Sequence, residues 1–103
     1  MLVKTDFGTY EVSARIEQYS NNGTLAILLW SPEEGPFAKL TVNIEDSDSL
    51  ASESKAFVDT NNCPWAEEFI QENGLGEFTG IYGNSGFCTY PLYEFNLGKL
   101  KNS

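Results

Sequence analysis

The side chains that most often perform acid–base or nucleophilic catalysis are sparse in this sequence. It contains no histidine, which removes the commonest general base and every Ser–His or Cys–His pair. Residues 83–86 (Gly-Asn-Ser-Gly) do not match the G-x-S-x-G elbow, and they lie between two predicted strands, whereas that elbow joins a strand to a helix. No glycine-rich phosphate loop occurs, and the scattered acids single out no carboxylate pair for glycoside hydrolysis. We therefore expect a protein that is not an enzyme.

Two acidic segments begin like a calcium-binding loop. After residues 46–48 (Asp-Ser-Asp), Leu50 stands where a third oxygen ligand belongs and Ala51 where the turn glycine belongs. Residues 59–61 (Asp-Thr-Asn) fail in the same way, because Pro64 occupies the glycine position. We interpret both segments as turn and capping residues, and we predict neither a metal site nor a cofactor.

Two cysteines, Cys63 and Cys88, are the only thiols, and they do not form a C-x-x-C motif. No basic segment followed by an apolar one comes after Met1, so we expect no secretory signal, no membrane anchor and a cytoplasmic protein. In that compartment cysteines are usually reduced. We therefore predict two half-buried thiols rather than a disulfide or a metal site.

Carboxylates are the one chemical group in which the sequence is rich. The net charge is −9, from 15 acids against 6 bases. Residues 33–77 hold eleven of those acids with only Lys39 and Lys55, while the two ends together hold four acids and four bases. The negative electrostatic potential of so many carboxylates repels nucleic-acid phosphates and anionic membranes. We therefore predict no direct binding to either, and a basic protein as the partner.

Three clusters of carboxylates are the candidate partner-binding residues. Alternate side chains of a strand project about 6.6 Å apart on one side, a spacing comparable to that of phosphates along one DNA strand. A surface so arranged mimics nucleic acid and fits the basic channel of a nuclease, whereas the plain alternative is a solvated surface that maintains solubility. The candidates are Glu33 and Glu34 in a turn, Glu45, Asp46 and Asp48 at a strand end, and Glu67, Glu68 and Glu72 on a helix. Because the first two clusters lie at opposite ends of one predicted strand, we expect one cluster to dominate.

The last third of the chain is rich in aromatic residues, which stack bases in some nucleic-acid-binding sheets. Those sheets carry arginine and lysine beside the aromatics, and none occurs between Lys55 and Lys99. We therefore predict that these rings pack in the core, with a few tyrosine hydroxyls at the surface. The residues concerned are Phe78, Tyr82, Phe87, Tyr90, Tyr93 and Phe95.

The elements that position these side chains are organised around residues 23–30, which are apolar on both faces of a strand. Such a strand has to be covered on both sides, so we place it in the middle of the fold. Residues 9–19 alternate as one amphipathic strand before it. Residues 37–45 alternate after the turn at residues 31–36, with Thr41 facing outward. We predict that the three strands form an antiparallel meander, preceded by a short edge strand at residues 2–4.

The second half predicts an exposed loop at residues 46–54, a short strand at 55–59, one helix and a hairpin. The helix begins near Pro64, with Asn62 or Cys63 at its cap position, and ends at Gly74. Its apolar stripe is Ala66, Phe69 and Ile70, while Glu67, Glu68, Gln71 and Glu72 face solvent.

The hairpin strands cover residues 78–82 and 87–95, with Pro91 at an edge or a bulge, and residues 98–103 fray. The 103 residues fit a single domain spanning 1–103. We predict an α+β fold, with an antiparallel sheet of five or six strands (the meander plus the hairpin) and one helix packed on a face.

Nearly the whole chain resembles one family. The segments that carry the likeness are residues 7–12 (Phe-Gly-Thr-Tyr-Glu-Val), 21–29, 56–62 (Ala-Phe-Val-Asp-Thr-Asn-Asn), 67–77 and 85–95. They resemble an uncharacterised family, a domain of unknown function, of small acidic bacterial proteins from mobile elements and prophages. The resemblance brings no catalytic residues to this chain.

The family setting implies an inhibitor of host defence acting in the bacterial cytoplasm. Our concrete hypothesis is an anti-CRISPR protein that binds a Cas9-type nuclease or its guide-loaded complex, because such effectors hold nucleic acid in positively charged channels. The alternative is a non-enzymatic accessory or regulatory protein of a mobile element that binds a basic partner. A third, weaker reading is a module that binds a peptide at an exposed sheet edge.

Overall fold

The computed structural model describes residues 1–20, 23–44 and 50–101. Within these ranges the chain forms nine strands and two short helices. In order they are β1 (Leu2–Thr5), β2 (Gly8–Glu11), β3 (Ser13–Gln18), β4 (Leu25–Ser31), β5 (Gly35–Lys39), β6 (Thr41–Val42), β7 (Lys55–Val58), α1 (Ala66–Glu72), β8 (Gly76–Ser85), β9 (Cys88–Phe95) and α2 (Leu97–Lys101). The α+β class is confirmed.

The strands pair antiparallel in three small sheets, with orders β1-β2, β3-β4-β5 and β6-β7-β9-β8. The prediction of one sheet of five or six strands with a single helix is therefore wrong in its details. The meander is confirmed, since β4 lies between β3 and β5 and most of its residues are buried. The short first strand is confirmed as well, and it pairs with β2 in a hairpin.

Two segments predicted as continuous strands each change partner part of the way along. In residues 9–19 the change comes at Val12, whose N–H donates to the carbonyl of Met1 (2.8 Å) before Ser13 pairs with Trp30 in the next sheet. In residues 37–45 it comes at Leu40, whose N–H donates to the carbonyl of Ile27 while its own carbonyl accepts from Asp59 N–H, both at 2.9 Å. Leu40 thus joins the β3-β4-β5 sheet to the segment that follows β7.

Thr41 shows what this change of partner does to the local environment. It was expected to face outward, yet it is 1% exposed. Its hydroxyl lies 3.0 Å from the Tyr19 hydroxyl and accepts the N–H of Ile27 at 3.2 Å. A polar side chain is stable in this buried place because its hydrogen bonds are satisfied.

The main core lies between the sheets and the two helices. It combines Leu25, Ile27 and Leu29 of β4 with the predicted stripe of α1, which is confirmed, and with Leu100 of α2. Leu100 is fully buried in a helix, so the prediction that residues 98–103 fray is wrong for residues 98–101, while Asn102 and Ser103 lie outside the described residues.

The start of α1 differs from prediction, whereas its end is confirmed. The helix begins at Ala66, and the residue at its N-cap is Trp65, which makes no side-chain capping hydrogen bond. The preceding turn is held instead by Asp59, whose carboxylate accepts the backbone N–H of Asn62 at 3.2 Å. At the other end Gly74 has φ 62°, the left-handed conformation that glycine favours after a helix.

The hairpin is longer than predicted, because β8 continues to Ser85 and the turn contains only Gly86 and Phe87. β9 lies between β7 and β8, so Pro91 is not on an edge strand. The pairing register shifts between Phe78 and Tyr82, beside Pro91, so the predicted bulge is confirmed.

A second, smaller core covers the other face of β9 and contains Ile44, Phe57, Tyr90 and Leu92. The Phe57 ring reaches across to β8, where it lies against the backbone of Gly83. A Cβ atom added at Gly83 would lie 2.5 Å from Cε1 of Phe57, so the ring occupies the space of a side chain.

We expect Gly83→Ala to lower the free energy of unfolding by about 1–3 kcal/mol, the usual cost of overpacking. Gly98→Ala is the matched control. Its Cβ would lie 3.4 Å from Asn96 Oδ1 within α2, where alanine is favoured over glycine by about 0.5–1 kcal/mol. Urea unfolding measures both, and Phe57→Leu added to Gly83→Ala should restore part of the loss. Equal stability of Gly83→Ala and the parent would contradict this packing.

Candidate functional site

A surface groove of about 630 Å³ separates the β1–β2 turn from β5 and the start of α1. Four aromatic rings and two carboxylates line it together with smaller side chains, and we call it the aromatic groove. Its rings are Phe7, Tyr10, Phe37 and Trp65, and its carboxylates are Asp6 and Glu34.

Ring contacts connect the aromatic groove to the main core. Tyr10 and Phe37 have centroids 5.2 Å apart, and Phe37 lies 5.9 Å from Trp65. Trp65 then meets the buried ring of Phe69 edge-on at 5.9 Å. Phe7 differs from the others, since it stands at the mouth with 92% of its surface exposed. The inner wall is therefore fixed by core packing, while the outer wall is one open ring.

The charged side chains among the described residues that line the aromatic groove are all acidic. Asp6 and Glu34 are both exposed, and no lysine or arginine is among the described residues that line it. The pair Asp6 and Glu34 thus gives the lining a formal charge of −2. A groove of this composition attracts cations and offers them aromatic faces.

Cys63 also lines the groove, but it is 4% exposed and its Sγ lies 3.7 Å from the carbonyl oxygen of Lys39. Burial, with a further contribution from the nearby charge of Asp59, raises the pKa of Cys63 to about 11. At neutral pH it is a protonated thiol, and such a thiol is a poor nucleophile and metal ligand. Cys63 and Cys88 are both free, Cys63 buried and Cys88 half-buried.

A shallow cleft adjoins the groove on the other side of Trp65 and is lined by Lys4, Trp65, Glu68, Phe69 and Glu72. Lys4 Nζ lies 3.8 Å from Glu72 Oε2 in an exposed ion pair. Trp65 lines both depressions, so Glu34 of the first predicted cluster and Glu68 and Glu72 of the third line depressions that share one side chain.

The remaining predicted site residues are not part of this surface. Glu33 is exposed in the same turn as Glu34 but does not line the groove. The backbone N–H groups of both glutamates donate to Ser31 Oγ, at 3.3 and 3.2 Å, which fixes the turn. The second cluster, Glu45, Asp46 and Asp48, lies outside the described residues, as does the first part of the predicted exposed loop.

Glu67 corrects the prediction that all the α1 acids face solvent. It is half-buried, and its Oε2 accepts a hydrogen bond of 2.6 Å from the hydroxyl of Tyr93, whose side chain is fully buried. Gln71 Nε2 donates to the same hydroxyl at 3.3 Å. Burial and the hydrogen bond to Glu67 raise the pKa of Tyr93 to about 12. Glu67 is therefore engaged in fastening α1 to β9.

The predicted packing of the late aromatic residues is confirmed only in part. Tyr90, Tyr93 and Phe95 are buried, whereas Phe78 and Tyr82 are 40% and 57% exposed and Phe87 is fully exposed at the β8–β9 turn.

Within the described ranges no helix has the length and apolar character to cross a membrane. Over the same ranges no cluster of three or more metal-ligating side chains occurs.

Sequence reasoning missed the aromatic groove because its walls come from distant segments. Asp6 and Phe7 lie in the β1–β2 turn, Tyr10 lies on β2, and Trp65 is the N-cap residue of α1. One local signal was present, since a large apolar residue such as Phe7 in the middle of a tight polar turn has no partner on its own hairpin.

The chain belongs to the family described as a domain of unknown function (DUF4313), whose model matches residues 13–103. No curated protein and no solved structure matches it at a significant level. Glu34, Phe37 and Trp65 lie inside the matched region, and the hairpin that carries Asp6 and Phe7 precedes it.

Replacing Glu67 should destabilise the protein far more than replacing its neighbour Glu68. Glu67→Ala leaves the buried Tyr93 hydroxyl without its acceptor, which costs about 1–3 kcal/mol. Glu68→Ala removes only an exposed carboxylate, so its effect stays within about 0.5 kcal/mol. Urea unfolding of both variants, alone and in a Tyr93→Phe background, measures the coupling. Equal losses for the two alanine variants would contradict the role of this hydrogen bond.

The two thiols should differ in reactivity. With its pKa raised to about 11, Cys63 carries little thiolate at pH 8 and is also shielded. A thiol reagent should therefore modify Cys88 first, and Cys88→Ser protein should react only slowly until it is unfolded. The slow reaction should accelerate as pH rises toward 11. Rapid modification of folded Cys88→Ser protein at pH 8 would show that Cys63 is accessible.

Proposed function

We propose that this protein is a non-enzymatic inhibitor that docks on a basic protein partner. The most concrete form is an anti-CRISPR protein, encoded on a bacterial mobile element or prophage, that acts in the host cytoplasm on a Cas9-type nuclease or its guide-loaded complex. The single observation that carries the proposal is that Trp65 lines both the groove that contains Glu34 and the cleft that contains Glu68 and Glu72.

Electrostatics supports a basic protein over other partners. The chain carries −9 in 103 residues, and the acid-rich segment 33–77 contributes both the β4–β5 turn and α1. Cas9-type effectors hold their nucleic acid in positively charged channels and read a short duplex motif through arginines. An acidic surface placed there competes with phosphates, and its long-range attraction speeds association.

The arrangement of the carboxylates favours protein docking over strict imitation of a phosphate row. Among the described residues the candidate acids lie in a turn and on a helix, not along one face of a strand. They flank exposed and half-buried rings, Phe7 and Trp65 among them. Aromatic residues surrounded by polar groups are the usual composition of a protein–protein contact surface.

A binding role is also supported by the structural roles of three side chains that could otherwise take part in chemistry. Glu67 is bonded to Tyr93, Asp59 holds the turn before α1, and Cys63 is a buried thiol. An accessory or regulatory protein of a mobile element that binds a basic partner would use the same surface. The two functions differ in the identity of the partner, so an experiment on the partner separates them.

The test combines co-purification and DNA-cleavage assays with a panel of Cas9-type nucleases, each with and without guide RNA. The parent should bind and inhibit at least one of them, and Glu34→Lys should weaken binding about tenfold or more and reduce its salt dependence. Glu33→Lys is the matched control, because it makes the same charge change in the same turn outside the groove. Both variants should keep the melting temperature of the parent within a few degrees, since exposed charges contribute little to stability.

Three outcomes would count against the proposal. No binding and no inhibition across the panel would remove the nuclease as partner. Equal losses for Glu33→Lys and Glu34→Lys would show that net charge acts at a distance and that this surface is not the contact. Binding without inhibition would favour the accessory role.

A further inference from the structure

We infer that the aromatic groove receives an arginine side chain from a basic segment of the partner protein, with its guanidinium held between the rings and the carboxylates Asp6 and Glu34. The inference rests on the proposed docking to a basic protein and adds which side chain is recognised and where. Four observations support it, namely the open ring of Phe7, the one-signed charge, the use of ring faces elsewhere in the molecule, and the size of the groove.

Phe7 is held in place by hydrogen bonds although its ring packs against little. Its backbone N–H donates to Thr5 Oγ1 at 3.1 Å, and the Thr5 hydroxyl donates to the Gly8 carbonyl at 3.2 Å, which closes the turn. The ring is 92% exposed. A large apolar side chain kept in water on a fixed backbone contributes almost nothing to folding, whereas it is already positioned to cover a guest.

The carboxylates of the groove are available to a guest. Within the described residues neither Asp6 nor Glu34 forms an ion pair, whereas the acids outside the groove that do so are Glu11 with the N-terminal amine and Glu72 with Lys4. A cation that entered the groove would meet two carboxylates with no competing base in the described lining.

Among the described residues, two cations lie over ring faces outside the groove. The guanidinium carbon of Arg15 lies 3.9 Å from the centre of the Trp30 ring, and Lys39 Nζ lies 4.6 Å from that of Tyr19. Both cations belong to the chain itself. The rings of the aromatic groove offer the same kind of aromatic face. Because the nearby carboxylates are negative, the groove favours a cation from another molecule.

Arginine fits this site better than lysine. Its guanidinium is planar, stacks on aromatic faces and binds carboxylates through two parallel N–H groups, whereas the lysine ammonium is a compact and strongly hydrated charge. The volume of about 630 Å³ exceeds that of one side chain, so residues on either side of the arginine are accommodated too. The occupant is therefore a short basic segment of a protein.

The experiment measures binding of a fluorescent six-residue peptide of alternating arginine and glycine, by anisotropy, without any nuclease present. The matched pair of variants is Phe7→Ala and Phe87→Ala, since both rings stand at hairpin turns, 92% and 109% exposed, and only Phe7 lines the groove. We expect at least fivefold weaker binding for Phe7→Ala and no change for Phe87→Ala. The lysine version of the peptide should bind the parent at least threefold more weakly than the arginine version.

Neither substitution removes a buried ring, so melting curves of both variants should match the parent and loss of folding cannot imitate loss of binding. Equal binding by the Phe7 and Phe87 variants would overturn the site, and equal binding of the arginine and lysine peptides would overturn the arginine assignment. If the peptide binds but no nuclease is inhibited, the arginine site would be supported and the proposed function would be rejected. If the parent inhibits a nuclease and Phe7→Ala inhibits it equally, while the peptide does not bind, the arginine site would be rejected and the proposed function would be kept.

Discussion

The two hydrogen bonds of Leu40 are the constraint on which the rest of the structure depends. Through its N–H and carbonyl this fully buried residue ties β4 to the segment that follows β7. The second bond ends on Asp59, and Asp59 in turn fixes Asn62 and Cys63 through its carboxylate and its carbonyl. The turn that leads into α1 is therefore held against β5, and the aromatic groove is the space left between them. The junction of the sheets therefore sets the position of the groove.

Some of the acidic side chains lie where neighbouring groups offset their charge. Glu67 and Glu68 lie in the first turn of α1, where the helix dipole favours negative charge. Glu94 faces Glu77 across one strand pair, which is unfavourable, but it faces Lys55 across the other. Its carboxylate also accepts the hydroxyl of Ser54 at 3.2 Å. Among the described residues, neither Asp6 nor Glu34 forms an ion pair.

Local patterns predicted what depends on one segment and failed where two segments meet. The double-faced apolar run of β4, the stripe of α1 and the left-handed Gly74 followed from the sequence, because each is set by the residues of its own element. The changes of partner at Val12 and Leu40 did not, since alternation of period two reports the face of a side chain and continues unchanged when the strand passes to another sheet. The prediction that Glu67 faces solvent was wrong for a related reason. Its hydrogen-bond partner Tyr93 lies on β9, and the helical pattern of α1 contains no information about that strand.

The two walls of the aromatic groove differ in how they are built, and this bears on what each contributes. The inner wall, with Phe37 and Trp65, lies in the region that the family model matches and is joined to the core through Phe69. The outer wall is the β1–β2 hairpin, which precedes that region and is anchored by the fully buried Val3 and by Lys4 at Glu72. Among the described residues, β1 and β2 form a sheet of their own. The matched region thus supplies the inner wall and the carboxylate of Glu34, and the hairpin supplies the open ring of Phe7 and the carboxylate of Asp6. On our inference, the hairpin therefore contributes the part of the groove that covers a planar cation.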